Sequence, residues 1–102
     1  MQTLRKLFPF YLLLDKKLGI IEYGSSMAKL RLLSGNFEEH FRFIRPNFEI
    51  QYSFDSILEF SNQVFILELK NSPSSIRFKG QFIQHHENSL ELWFCEIGRA
   101  HV

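Results

Sequence analysis

Apolar and polar positions alternate along the chain in several short runs, and each run predicts an element. Phe10–Leu14, "FYLLL", is a continuous apolar run of strand length, and Ile20–Tyr23 is a second. Between them Asp15-Lys16-Lys17-Leu18-Gly19 supplies turn chemistry ending on a glycine, so the opening unit is a predicted β-hairpin. Val64–Lys70 ("VFILELK"), Ile76–Gln84 and Leu90–Cys95 predict three further strands in a meander, joined by a loop over 71–75 and a turn over His85-His86-Glu87-Asn88-Ser89. Ile76, Phe78, Gly80 and Phe82 share one face of their strand. In the last one Leu90, Leu92 and Phe94 oppose Glu91, Trp93 and Cys95.

Helical spacing occupies the middle. Met27, Leu30 and Leu33 form one stripe behind Gly24-Ser25-Ser26, which breaks the strand and offers a capping serine. Asn36 caps a predicted turn over Phe37–Phe41. Ser53 caps a helix running to Asn62, with Phe54, Ile57, Leu58 and Ser61 on one side and Asp55 in its first turn. Thr3–Phe8 predicts a short helix stopped by Pro9, and Pro46 steers Arg42–Arg45 towards extended geometry. Phe48, Ile50 and Tyr52 alternate with polar neighbours. This order predicts an α+β, PAS-like fold: a five-stranded antiparallel sheet, with short helices between strands 2 and 3 packed on one face.

A chain of 102 residues with 45% hydrophobic and 23% charged residues supports one globular domain with a modest core. Its 12 phenylalanines point to aromatic packing between sheet and helices, with an aromatic-lined cavity as the variant. A net charge of +1 gives no argument for nucleic acid or an acidic membrane surface. Cys95 is the one cysteine, so no intramolecular disulfide can form, which fits a cytoplasmic location. Leu7–Leu14 is too short to span a bilayer and, with Pro9 inside it, is a poor signal peptide, so no membrane insertion is expected.

After Cys95 the pattern stops. Glu96 to Val102, "EIGRAHV", shows no period or cap. Apart from its leading base, one permitted back-translation of these residues is the start of a widely used short-read sequencing adapter. The expectation is a native domain over 7–95, cut short at its C-terminal end, followed by an adapter-derived scar over 96–102.

Four pieces, "LFPFYLLLDKKLGIIEYGSSMAKL", "FRFIRPNFEIQYSFDSI", "VFILELK" and "RFKGQFI", follow one another in an order and spacing that name a family. Together they resemble the haem-nitric-oxide-binding-associated (HNOBA) PAS-like domain of soluble guanylate cyclases and bacterial signalling histidine kinases. The resemblance covers Leu7 to Cys95. It implies a regulatory module that forms homo- or heterodimers and works with a haem-based gas-sensor domain on the same chain or another. It also implies a coiled helix leading to a guanylate cyclase or histidine kinase output, and hence a part in cGMP biosynthesis for the cyclase members. The family's last strand normally runs on past the position of Cys95, often through a Ser-Pro pair, where this chain has Glu96-Ile97.

Single residues invite chemistry, and a structural reading is preferred for most. Gly24-Ser25-Ser26 is a strand-to-helix turn before it is a pocket. Gly80, inside a strand, marks close backbone approach, with core packing and an interface equally good explanations. Arg45 has Glu39 and Glu49 as possible partners but is expected solvated. His85-His86 alternate across a strand with only Glu87 nearby, so a solvated hairpin loop is expected rather than a metal pair. His40 is expected solvated or paired with a carboxylate, and Cys95 is expected structural, since no cation is visible beside it.

The helix from Ser53 to Asn62 carries no histidine of the kind that holds haem in PAS domains. The flavin-binding cysteine motif is missing, as is the Tyr-x-Ser-x-Arg motif of the family's haem partner. No phosphate loop, kinase or cyclase signature stands in the chain. The expectation is therefore no cofactor, no metal and no catalysis within this chain. Strand parity instead turns Gln81, Ile83 and Trp93 outward, and this face, with Phe8 as a lid, is the candidate dimer interface. A small-ligand-sensing PAS domain with an aromatic-lined pocket is the alternative.

Overall fold

The computed structural model describes residues 9–25, 27, 35–70 and 75–99. Six strands make one antiparallel sheet: β1 (Phe10–Leu14), β2 (Ile20–Tyr23), β3 (Phe41–Arg45), β4 (Phe65–Leu69), β5 (Ile76–His86) and β6 (Ser89–Arg99). Among the described residues two short helices, α1 (Phe37–His40) and α2 (Phe54–Glu59), lie between β2 and β4. The strand order is β2-β1-β6-β5-β4-β3, so β1 sits inside the sheet against β6.

The expected five strands are thus six. The addition is β3, "FRFIR", expected as extended chain without a place in the sheet. It pairs with β4 in the register Phe41↔Leu69, Arg42↔Glu68 and Phe43↔Leu67, which satisfies its backbone and buries Phe41 and Phe43.

Local signals explain the turns and caps. The Asp15 carboxylate accepts the N–H groups of Lys17 and Gly19, both at 2.8 Å, and so holds the turn in which Leu18 takes φ 66°. Asn36 and Glu39 form a capping box at the start of α1. The Asn36 amide also donates to the Lys17 carbonyl at 2.7 Å, tying helix to hairpin. Ser53 caps α2 by accepting from the Ser56 N–H.

Boundaries differ where one interaction overrides the pattern. The second helix ends at Glu59 rather than Asn62, because the Phe60 N–H turns back to the carbonyls of Ile57 and Leu58. The Ser61 hydroxyl donates to the Leu58 carbonyl at 2.8 Å. β5 extends through His85 and His86, leaving Glu87-Asn88 as the turn. β6 continues past Cys95 to Arg99, with Gly98 and Arg99 opposite Arg77 and Ile76 and an irregularity beside Phe78. A ladder asks only for N–H and C=O groups, so β5 recruits these residues despite their lack of pattern. Met27 is fully buried and donates its N–H to the Gly24 carbonyl at 3.0 Å. The rest of its stripe (Leu30, Leu33), Ser26 and the Thr3–Phe8 segment lie outside the described residues.

The core lies on the helix side of the sheet, where Phe37, Phe41, Phe65, Phe78, Phe82 and Phe94 are buried with Ile57 and Met27. Their rings meet one another: Phe37 and Phe41 at 5.1 Å, Phe65 and Phe82 at 4.7 Å, and Phe78 and Phe94 at 5.2 Å, the last two edge-on. Each buried ring contributes about 2–3 kcal/mol of transfer free energy.

Candidate functional site

The opposite face of the sheet carries the outward positions, and two clusters sit on it. The first is built from β1, β6 and β5. Tyr11 lies opposite Trp93, which lies opposite Gln81. One row along, Leu13, Glu91 and Ile83 are aligned in the same way, with Glu22 of β2 beyond Leu13. The Tyr11 and Trp93 rings meet at 4.5 Å with a 45° tilt. The Trp93 indole N–H donates to Glu91 Oε1 at 2.8 Å, two residues away on the same face of the strand. The other Glu91 oxygen, Oε2, meets His85 Nδ1 at 2.6 Å.

One carboxylate thus fixes both an indole and an imidazole. Burial holds the Tyr11 phenol above its ordinary value, and the negative charges of Glu91 and Glu22 push it further the same way. Ile83 remains 40% exposed beside this plate.

The second cluster crosses β3, β4 and β5. Arg42, Glu68 and Arg77 lie in one row. Glu68, 9% exposed, receives Arg42 Nη1 on one oxygen at 2.6 Å and Arg77 Nε on the other at 3.1 Å. Lys79 and Ile66 occupy the next row, with Cys95 on the far side of Lys79.

The outward assignment of Gln81, Ile83 and Trp93 agrees with this register, whereas Phe8 lies outside the described residues. Trp93 is half-buried rather than bare, because Tyr11 and Glu91 already cover part of it. The expectation for His85 is corrected: it sits on a strand and pairs with Glu91, since β5 outlasts the predicted turn. The cation not visible beside Cys95 is Lys79, its cross-strand neighbour, although Cys95 itself is a half-buried free thiol.

Gly80 belongs to the core side. A Cβ there would lie 2.4 Å from the Trp93 carbonyl oxygen and 2.6 Å from Phe94 Cβ, so close packing accounts for it. The sequence reasoning missed Tyr11 and the Arg42–Glu68–Arg77 row. Parity alone would have turned them outward, but which strands adjoin is not a local property.

The described histidines do not fit a haem. His85 is committed to Glu91, His86 is exposed, and His40 closes α1 outside the buried cluster. Among the described residues no group of three His, Cys, Asp or Glu side chains is placed to hold a metal ion. Among them, too, no helix is long and apolar enough to cross a membrane.

Comparison with known proteins supplies the family. Residues 1–92 match the family described as heme NO binding associated (HNOBA), and the chain belongs to it. The chain is 31% identical over 100 residues to guanylate cyclase soluble subunit alpha-1 of Mus musculus, covering 86% of this chain and 14% of that protein. The subunit of the same name from Rattus norvegicus is 32% identical and that from Canis lupus familiaris 29%, each over the same shares. The chain therefore spans about 14% of the length of the curated relatives it matches.

Proposed function

We propose that this chain is a regulatory, non-catalytic signal-transduction domain that dimerises through its outer sheet face and relays a state change to an effector domain of a longer protein. The sheet order supports a PAS-like reading, with β3 added outside a five-stranded β2-β1-β6-β5-β4 unit. The effector favoured is a guanylate cyclase, because the relatives above carry that name, with a histidine kinase as the other output of the family. Haem and nitric oxide would be handled by a separate gas-sensor domain, in a cytoplasmic assembly, since among the described histidines His85 is engaged by Glu91 and His86 is exposed.

The observation that carries the dimer is the Tyr11–Trp93 plate. An aromatic pair whose indole N–H is already satisfied by Glu91, flanked by the exposed Ile83, is the composition of an interface centre. Relay then requires only that two arrangements of the dimer differ in free energy. Sedimentation equilibrium on the wild-type chain and Ile83→Asp tests this reading. Concentration-dependent dimers weakened at least tenfold by the aspartate, with an unchanged circular-dichroism spectrum, are expected. A strict monomer at the highest soluble concentration, or a dimer indifferent to Ile83→Asp, refutes it.

A further inference from the structure

The outer face is electrically lopsided, and its lopsidedness is directional. Glu22 and Glu91 flank the Leu13 end, each directly opposite Leu13 in the register, which puts them on the same face as Leu13 and Tyr11. At the diagonally opposite end stand Arg42, Arg77 and Lys79, the two arginines sharing the carboxylate of Glu68. Glu22 and Lys79 are both exposed, and neither is engaged in one of the ion pairs described above. Trp93 and Tyr11 lie between the two ends.

The register sets the distances. From β2 to β5 is three inter-strand steps, and from the Glu22 row to the Lys79 row is four residues. At about 4.8 Å per step and about 3.4 Å per residue, Glu22 and Lys79 are about 20 Å apart across the face. The midpoint of that diagonal falls between Tyr11 and Trp93. A two-fold axis lying in the interface through this midpoint sets Glu22 of each copy over Lys79 of the other. It also brings the two aromatic plates together at the centre and crosses the sheets at a steep angle, a known packing class.

We infer that the partner of this face is a second copy of the same domain fold, docked in the one orientation that lays its acidic end on the basic end of the other. Parallel stacking would set acid on acid and base on base, and like charges across an interface are strongly disfavoured. The pairing therefore selects orientation more than it adds affinity. It also provides a means of choosing between like and unlike subunits, since a partner with altered charge at either end would be refused or preferred. This inference rests on the dimeric reading above.

The test separates the two. Glu22→Lys and Lys79→Glu are prepared singly in the full chain, together with Ile83→Asp, and each is studied by sedimentation equilibrium alone and as an equimolar mixture of the two reversals. Each reversal should weaken self-association by about tenfold at low salt, because two symmetric pairs turn from attraction to repulsion. The mixture should recover wild-type affinity, since lysines at both ends of one chain then meet glutamates at both ends of the other. The losses should shrink as salt is raised. If Ile83→Asp weakens the dimer but the mixture recovers nothing, the orientation is wrong and the interface stands. If the wild-type chain never dimerises, both fall.

Discussion

Gly80 offers the sharpest test of the packing. In Gly80→Ala the new methyl would sit 2.6 Å from Phe94 Cβ and 2.4 Å from the Trp93 carbonyl oxygen. Facing Cβ atoms of paired strands normally lie about 4.5–5.5 Å apart, so β5 and β6 must separate locally by about 2 Å. Neither neighbour is the flexible end of a side chain, and Phe94 is itself fully buried. Overpacking of this kind costs about 1–3 kcal/mol, and stretching one or two ladder hydrogen bonds adds about 1 kcal/mol each. A loss near 3 kcal/mol follows. For a chain of 102 residues, whose unfolding entropy is about 0.2 kcal/mol/K, that lowers Tm by about 14 °C. Thermal unfolding followed by circular dichroism measures it. Gly98→Ala is the internal control, because nothing lies within 4 Å of a methyl there, and its Tm should stay within about 3 °C of wild type. A Gly80→Ala protein as stable as the control would refute the close approach of the two strands.

Two further outcomes follow from the outer face and the core. Glu68→Gln removes the charge that two half-exposed arginines share, and should cost about 1–2 kcal/mol in urea unfolding; no measurable loss would mean that solvent already screens the row. Burial raises the phenols of both Tyr11 and Tyr52; acidic neighbours add to this at Tyr11, while at Tyr52 the Phe43 backbone works against it and Glu38 with it. The fold thus favours the protonated phenol: the stability contributed by these two groups should be constant below pH 10 and be lost as pH rises through the raised folded values. Absorbance titration near 295 nm should show ionisation above pH 10 that diminishes in Tyr11→Phe and Tyr52→Phe, and ionisation below pH 10 at either would contradict the sign.

Features that depend on neighbours in sequence were legible without coordinates. The caps at Asn36 and Ser53 and the Asp15 turn are each made by side chains bonding backbone within four residues. Strand parity was legible too, because alternation in β5 and β6 is a property of those segments alone. What could not be read was adjacency. Arg42, Glu68 and Arg77 are far apart in the chain, and only the placement of β3 beside β4 makes them a row. Tyr11 meets Trp93 for the same reason: β1 lies beside β6, although most of the chain separates them. The ends of β5 and β6 were misjudged because a partner strand can hold residues whose own pattern is silent.

The β5–β6 hairpin, two strands of 11 residues each, runs about 37 Å and nearly matches the longest dimension of the molecule, 40 Å. A ladder loaded along its strands must break many bonds at once, whereas one loaded across them opens a pair at a time. Pulled lengthwise, the hairpin is a stiff strut that carries displacement from the Glu87-Asn88 turn to the neighbourhood of Arg99 with little loss. Pulled sideways it is a zip. The direction in which an attached domain tugs would then decide whether this sheet transmits a movement or absorbs it.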